Sequence, residues 1–178
     1  MPFERSYIFL DTSVYVQESY RFSGKSLGKL VGMSSDDELK LIVPEIIQQE
    51  VTYKLRETAE DHAAKIQTAL DSNIIDLISD KDKKLAGINC QIDREKLVES
   101  IVETWEKFRE RCNAESVPLA RIDLPGIVAS YFDAKPPFEK GRKRNEFPDA
   151  FAVSSMVSFA DDNPGRPIYV VSGDNGML

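Results

Sequence analysis

Four acidic residues near the ends of apolar segments are the side chains best suited to chemistry in this chain. Carboxylates that lie close together repel one another, and each holds its proton more tightly unless a cation compensates the charge. Mg²⁺ and Mn²⁺ prefer such oxygen ligands, and these ions activate water and clamp the oxygens of a phosphodiester during hydrolysis. The candidate catalytic groups and metal ligands are Asp11, Glu50, Asp149 and Asp174.

Histidine and cysteine are too scarce to support other common catalytic centres. The 178 residues include one histidine, His62, and two cysteines, Cys90 and Cys112, with no Cys-x-x-Cys pair. A zinc site built from Cys and His is therefore excluded, and two cysteines cannot make a disulfide framework. His62 lies in a charged helical stretch and fits a solvated helix face. We therefore expect the chemistry to depend on carboxylates.

Three short apolar segments predict the strands of a parallel sheet. Tyr7–Leu10, Leu39–Val43 and Ile168–Val171 are almost continuously apolar, which is typical of strands buried on both faces. Helical spacing between them predicts helices at 23–31, from Pro44 to about residue 70, at 93–112 with Asp93 as N-cap, and from Pro148 onward. This alternation predicts an α/β fold with helices on both faces of the sheet.

The carboxyl ends of parallel strands meet at one edge of a sheet, where α/β proteins bind their ligands. Asp11 follows the first predicted strand and Asp174 the last, whereas Glu50 and Asp149 lie in early turns of predicted helices. All four are therefore expected at one edge. Hydroxyl groups beside them can orient a carboxylate or a bound water, and the candidates for this role are Thr12, Ser13 and Ser172.

Three of the four acids also have an ordinary structural explanation. The helix dipole alone favours an aspartate in a first turn, such as Asp149. Glu50 is spaced to pair with Lys54 at i,i+4, and Asp174 begins an Asp-Asn-Gly turn. Asp11 differs, because an acid directly after a buried strand and beside two hydroxyl residues favours a site.

A basic segment at 135–144 contrasts with the net charge of −7. An acidic chain does not hold nucleic acid by its overall field, but a local basic patch beside a metal site would attract a phosphate backbone. A solvated surface is the alternative. Phe138, in the same segment, is a candidate stacking ring or a loop anchor. The candidate nucleic-acid-binding residues are Lys140, Arg142, Lys143 and Arg144.

The length and composition fit one domain over 1–178 in the cytoplasm. The chain is 42% hydrophobic and 30% charged, as in ordinary globular proteins. No apolar run approaches the roughly 20 residues needed to span a bilayer, and the apolar run before Asp11 is too short for a signal peptide.

The motifs around these acids resemble those of the PIN-domain nucleases. Four segments occur in the expected order: Tyr7–Ser13 (YIFLDTS), Ile42–Val51 (IVPEIIQQEV), Phe147–Phe151 (FPDAF) and Tyr169–Asp174 (YVVSGD). The chain looks closest to a bacterial subgroup in which a Lys/Arg-rich segment precedes Glu-Phe-Pro-Asp-Ala-Phe.

This resemblance implies a three-layer α/β/α domain with a central parallel sheet and a carboxylate pocket that binds Mg²⁺ or Mn²⁺. It implies hydrolysis of phosphodiester bonds in single-stranded RNA, or in flap-like nucleic acids in relatives. The implied mechanism is in-line attack of metal-bound hydroxide on phosphorus, which leaves a 5′-phosphate and a 3′-hydroxyl. Asp11, Asp149 and Asp174 match the family's aspartates, and Glu50 matches the helix-borne acid. Glu146 is an additional metal ligand in the subgroup's pattern.

Two features depart from the family's pattern. PIN domains usually continue with a further helix and edge strand, whereas this chain ends shortly after Asp174, so a C-terminally truncated domain or a C-terminal partner domain is one expectation. The helical excursion at about 93–133 is also longer than in small toxin relatives. It is a candidate lid, substrate wall or oligomerisation surface of a homodimer.

The leading hypothesis is a metal-dependent endoribonuclease, including the toxin of a toxin–antitoxin pair with an antitoxin as partner. The alternative is a catalytically silent PIN-like module that binds RNA or protein within a larger protein. A phosphatase of the aspartyl-phosphate type is disfavoured, because it needs Asp-x-Asp after the first strand and this chain has Asp11-Thr12-Ser13.

Overall fold

Four short strands form one parallel sheet in the order β3-β2-β1-β4. The computed structural model describes residues 6–36, 39–72, 93–138 and 146–173. The predicted α/β class with a central parallel sheet is confirmed. The strands are β1 (Ser6–Leu10), β2 (Leu39–Pro44), β3 (Glu115–Val117) and β4 (Ile168–Val171).

Central position in the sheet explains why β2 is apolar without alternation. Leu41, Ile42 and Val43 are all buried, and β2 lies between β1 and β3. A strand that is covered on both faces favours apolar residues at successive positions.

The backbone divides into two compact units. The first comprises Met1–Val51 and Glu106–Leu178, and the second comprises Thr52–Trp105. Over the described residues, the helices are α1 (Thr12–Gln17), α2 (Leu27–Ser35), α3 (Glu45–Leu70), α4 (Arg94–Arg111), a 3₁₀ turn (Leu119–Arg121), α5 (Leu124–Asp133) and α6 (Phe147–Asp162).

The core of the first unit includes an aromatic contact between the sheet and α6. Tyr7 on β1 meets Phe159 on α6 edge to face, with ring centroids 4.9 Å apart. The same cluster contains Ile42, Val117 and the half-buried Ile168. It therefore joins residues of all four strands to the C-terminal part of α6.

A second group of rings packs around α1 and the end of α4. Phe22 stacks on Phe108 at 5.1 Å, and Tyr15 meets Phe108 edge to face at 6.4 Å. Aromatic pairs in these geometries are worth about 0.5–1.5 kcal/mol beyond the area they bury. They anchor α1, the helix that begins directly after Asp11.

The second unit contains the part of α3 after Val51 and the part of α4 up to Trp105. On α3, Leu55, Ala59 and Ala63 are buried at helical spacing, and on α4 the most buried side chain of this unit is Trp105. Such spacing gives a helix one apolar stripe.

Three elements differ from the sequence-based expectations. The helix predicted at 23–31 begins later, at Leu27, and ends at Ser35. Helix α1 was not predicted, because six residues show too little of a helical period. Strand β3 was not predicted either, since its three residues carry no strand pattern of their own.

The N-cap predicted for α4 is confirmed. The backbone N–H of Lys96 donates to Asp93 Oδ1 at 3.1 Å, which satisfies one of the unpaired donors of the first turn. No helix within the described ranges is both long and apolar enough to cross a membrane.

Candidate active site

Asp11 lies where β1 ends and α1 begins, and it is the N-cap of α1. Its backbone N–H donates to the Val171 carbonyl of β4 at 2.9 Å, which ties it to the adjacent strand. The residue is only 7% exposed. The sheet thus fixes a buried carboxylate at the carboxyl end of its strands.

Three donors converge on one oxygen of this carboxylate. Asp11 Oδ2 accepts from the Ser13 backbone N–H at 3.2 Å, from Ser172 Oγ at 3.1 Å and from Ser13 Oγ. The described residues give Asp11 no other side-chain hydrogen bond and no ion pair. The hydrogen bonds from the described side chains and from the Ser13 N–H thus all end on Oδ2, and Oδ1 receives none of them.

Ser13 also connects the start of α1 to the segment after β4. Its Oγ accepts from the Gly173 backbone N–H at 2.9 Å while donating to Asp11. A Cβ on Gly173 would lie 1.9 Å from Gln17 Nε2, so Gln17 at the end of α1 abuts this backbone. The position of Gly173 is thus set by contacts with α1.

Glu50 is brought to the same region by Thr12. The buried Thr12 donates from Oγ1 to Glu50 Oε2 at 2.8 Å. Because Thr12 directly follows Asp11, this bond places the acid of α3 beside the start of α1. The structure thus brings together Asp11, Thr12, Ser13, Glu50 and Ser172 by direct hydrogen bonds or chain adjacency, while their catalytic roles stay predictions.

The first turns of α3 are held by two polar side chains. Glu45 Oε2 accepts from the Leu119 backbone N–H at 3.0 Å. Gln48 Nε2 donates to the Val43 carbonyl at 2.8 Å and to Ser116 Oγ at 2.7 Å, and Gln48 Oε1 accepts from Arg109 Nη1 at 2.7 Å. These bonds fix the part of α3 that carries Glu50.

Asp149 lies in the first turn of α6, half-buried, and Glu146 is the N-cap residue of that helix. The opposite end of α6 packs at the amino end of β1, through Phe159 against Tyr7. From Tyr7 to Asp11 the strand rises ~13 Å, and from Phe159 back to Asp149 the helix rises ~15 Å.

A helix that connects parallel strands runs back along them. The first turn of α6 is therefore expected at the same edge of the sheet as Asp11. The approach of Asp149 to the Asp11 carboxylate stays a prediction, and so does a metal-binding role for Glu146.

Several predicted site residues lie outside the described residues. They are Asp174, Lys140, Arg142, Lys143 and Arg144. Within residues 6–36, 39–72, 93–138 and 146–173, no group of three or more Asp, Glu, His or Cys side chains is arranged to hold a metal ion.

Phe138 is a loop anchor, and the suggestion that it offers a stacking ring is wrong. The side chain is 0% exposed and packs with Tyr131 at 5.4 Å and with Phe147 at 4.9 Å. Its ring faces are therefore unavailable to a ligand.

Two buried groups beside the site keep their protons at neutral pH. Burial raises the pKa of the Tyr15 phenol far above its ordinary value, with a smaller contribution from the neighbouring Cys112. Burial likewise raises the pKa of the Cys112 thiol to about 11, although a hydrogen bond with Ser34 opposes the shift. Neither group therefore adds charge near Asp11.

Sequence reasoning missed Gln17 and Gln48. Gln17 lies four residues after Ser13, so helical spacing could have placed it on the same face of α1. Gln48 contacts Ser116 on β3 and Arg109 on α4. No sequence pattern marks these contacts, because they join residues that are far apart in the chain.

One of three comparisons with known proteins gave a match. Searches of curated proteins and of solved structures gave no match. A family model described as "PIN domain" matches residues 8–177, a range that contains β2, β3, β4, the last three residues of β1 and all of the polar contacts above. With an acid at the carboxyl end of β1 and a match over nearly its whole length, the chain belongs to the PIN-domain family.

Proposed function

We propose that this protein is a metal-dependent endoribonuclease that hydrolyses phosphodiester bonds in single-stranded RNA. The observation that carries the proposal is the environment of Asp11, a buried carboxylate whose described hydrogen bonds all end on Oδ2. Membership of the PIN-domain family supports a nuclease in general. Metal, substrate and product are parts of this proposal.

The residues around Asp11 fit a divalent cation. A buried carboxylate is costly unless its charge is compensated, and no described Lys or Arg forms an ion pair with Asp11. The donors available nearby are oxygens, which Mg²⁺ and Mn²⁺ prefer. The residues proposed to hold the ion are Asp11, Glu50, Glu146, Asp149 and Asp174.

A divalent ion in this pocket would supply activation of water and stabilisation of charge on the phosphate. The chain's own residues orient the ligands. Ser13 and Ser172 hold Asp11 by its Oδ2, and Thr12 holds Glu50 by its Oε2. Fixed hydroxyl donors of this kind set the direction of a ligand oxygen and thereby its affinity for the ion.

The basic composition of 135–144 supports a polyanionic substrate. This segment has five Lys or Arg residues and one Glu in a chain of net charge −7. It leads in sequence to α6, whose first turn contains Asp149. Lys140, Arg142, Lys143 and Arg144 are proposed to bind phosphates along the strand.

A catalytically silent PIN-like module that binds RNA or protein is the second candidate. One observation favours it, namely that the described residues contain no group of three or more potential metal-ligating side chains. Such a module would still bind RNA through its basic segment, but it would show no metal-dependent cleavage.

Cleavage of labelled single-stranded RNA with Mn²⁺, with and without chelator, separates the two candidates. The active-site variants are Asp11→Asn and Glu50→Gln. The matched controls are Asp161→Asn on α6 and Glu57→Gln on α3, which change exposed acids. Metal-dependent cleavage that is lost in the first pair and kept in the second supports the nuclease, whereas binding without cleavage supports the silent module.

The toxin role is a finer part of the proposal, with an antitoxin as the expected partner. Induced expression of the wild-type chain in a bacterial host should arrest growth, and Asp11→Asn should relieve the arrest. Equal growth with both chains would remove the toxin role while leaving the nuclease intact.

A further inference from the structure

Phe132 is the most exposed of the large apolar side chains in the described residues. It lies near the end of α5 and is 75% exposed. Exposure of a phenyl ring to water is unfavourable, because it keeps apolar surface in contact with solvent. An isolated exposed ring needs no explanation, so its neighbours decide whether it has a role.

The ring belongs to a row of aromatic side chains that leads to the first turn of α6, which contains Asp149. Phe132 meets Tyr131 edge to face at 5.3 Å, and Tyr131 stacks on Phe147 at 5.0 Å. Phe147 is the first residue of α6, two positions before Asp149. Phe132 is therefore the solvent-exposed end of a row whose other end is the first turn of α6.

The buried part of this aromatic cluster does not include Phe132. Phe138 is fully buried and contacts both Tyr131 and Phe147, and the buried cluster here consists of Ile127, Phe138 and Ala150. Phe132 is absent from this buried cluster, and three quarters of its surface is exposed to solvent. An open aromatic face can accept a nucleobase.

The charge of the neighbouring sequence complements a nucleic acid strand. The basic residues of 135–144 closely follow Phe132 in the chain. Phe138 is the last residue described before a gap, and it belongs to the aromatic cluster. Glu146 is the first residue described after the gap, and it directly precedes Phe147 of the same cluster. Lys135 itself pairs with Asp133 at 2.8 Å, so the contribution at Phe132 is stacking and not charge.

We infer that Phe132 is a stacking platform for one unpaired base of the strand that enters the active site. This inference rests on the proposed function, since it names a contact of the same substrate. Every base has a π face, so the contact is tolerant of sequence. It also requires a single strand, because the bases of a duplex are stacked on one another.

A protein partner is the competing occupant. Leu124 and Val128 are exposed on α5, two turns and one turn before Phe132 respectively, so the three could form an apolar stripe for another helix. A base needs the ring of Phe132 alone, whereas a partner helix would use the whole stripe. The two occupants therefore predict different sets of sensitive residues.

Binding of a short fluorescent oligouridylate to the full-length chain tests the inference. Asp11→Asn, which should prevent cleavage if the proposed function holds, is the background for every variant. Phe132→Ala and Phe132→Leu should each raise Kd about 5- to 100-fold, the range for loss of one stacked base. Phe132→Trp should retain wild-type affinity, and Val128→Ala and Tyr53→Ala should leave Kd unchanged.

Abasic substitution along the oligonucleotide identifies the stacked base. One position should weaken binding to the Phe132 protein, and that sensitivity should vanish with Phe132→Leu. In the cleavage-competent chain, Phe132→Leu should raise KM with little change in kcat, because stacking acts equally in the ground state and the transition state.

Three results would overturn the inference. Wild-type affinity of Phe132→Leu for RNA would remove stacking while leaving the nuclease proposal intact. If Val128→Ala weakens RNA binding as much as Phe132→Leu does, the exposed apolar residues of α5 form a wider contact and Phe132 is not a platform for a single base. If the Asp11→Asn chain fails to bind RNA and the wild-type chain fails to cleave it, both the inference and the proposed function fall.

Discussion

Ser172 Oγ donates a 3.1 Å hydrogen bond to Asp11 Oδ2 across a separation of 161 positions in the chain. The parallel pairing of β1 with β4 makes this contact, because it aligns Leu10 with Val171 and so places the next residue of each strand side by side. The residues that directly follow β1 and β4 therefore meet at the Asp11 carboxylate. The proposed metal site is built around this meeting point.

Loss of the hydroxyl donors to Asp11 should lower activity in proportion to the number of contacts removed. Ser172→Ala removes one hydrogen bond to Oδ2 and should lower kcat/KM about 10-fold. Ser13→Ala removes the Oγ contact to Asp11 and also the acceptor for Gly173, so it should cost up to about 100-fold. Steady-state kinetics on RNA with saturating Mn²⁺ measures both.

Ser100→Ala is the control for these two serines, because Ser100 is exposed on α4. It should leave kcat/KM unchanged. A larger loss for Ser172→Ala than for Ser13→Ala would contradict the order of contacts described for Asp11.

Glu50 should depend on the hydroxyl group of Thr12. Thr12→Val keeps the shape of this buried side chain and removes the 2.8 Å hydrogen bond to Glu50. We expect kcat/KM to fall about 10-fold. Thr12→Ser, which keeps the donor, should retain most of the activity, and equal loss in both variants would show that the hydrogen bond to Glu50 does not account for the effect of Thr12→Val.

Gln48 should stabilise the fold by joining α3 to β2, β3 and α4. Gln48→Ala removes three hydrogen bonds and leaves the Arg109 donor without this acceptor. The free energy of unfolding should fall by about 1–3 kcal/mol, seen as a lower urea midpoint at unchanged m. Gln49→Ala, at the neighbouring exposed position, should stay within about 0.5 kcal/mol.

Burial of the Cys112 thiol should lower the free energy of unfolding as the pH rises above neutrality. The folded chain keeps the thiol proton up to a pKa of about 11, because burial disfavours the thiolate, whereas the unfolded chain releases it near pH ~8.5. The unfolded state therefore binds fewer protons in this window, and stability falls as pH rises, by about 1.4 kcal/mol per pH unit.

Comparison with Cys112→Ala isolates this contribution. Urea unfolding from about pH 7 to 11 should give a difference between wild type and variant that is constant below about pH 8 and shrinks toward about pH 11. Tyr15 also lowers the free energy of unfolding at alkaline pH, because burial raises its pKa, and it does so equally in wild type and variant. A difference that does not vary with pH would contradict a buried neutral thiol.

The sequence predicted the elements whose pattern is local. The apolar runs of β1, β2 and β4 indicated a parallel sheet, and the position of Asp11 after β1 indicated the edge where ligands bind. The register that brings Ser172 to Asp11 follows from that sheet. The contacts of Gln48 could not be predicted, because they join α3 to β3 and α4 through distances that no single segment encodes.

Phe138 and Phe132 also show that the exposure of a side chain could not be predicted from the sequence alone. Both are phenylalanines near a basic segment, and composition gives no reason to separate them. Packing against Tyr131 and Phe147 buries Phe138 completely, while the position of Phe132 on α5 leaves it 75% exposed. Which ring is accessible is decided by helix rotation and by the tertiary contacts of the neighbouring rings.

Titration of the full-length chain with Mn²⁺ by calorimetry tests most directly whether one cation joins the acids of β1 and α6. The account predicts saturable Mn²⁺ binding that weakens at least about tenfold in Asp11→Asn and equally in Asp149→Asn, with Asp161→Asn unchanged. Wild-type Mn²⁺ affinity in Asp149→Asn, or in both active-site variants, would contradict a shared site.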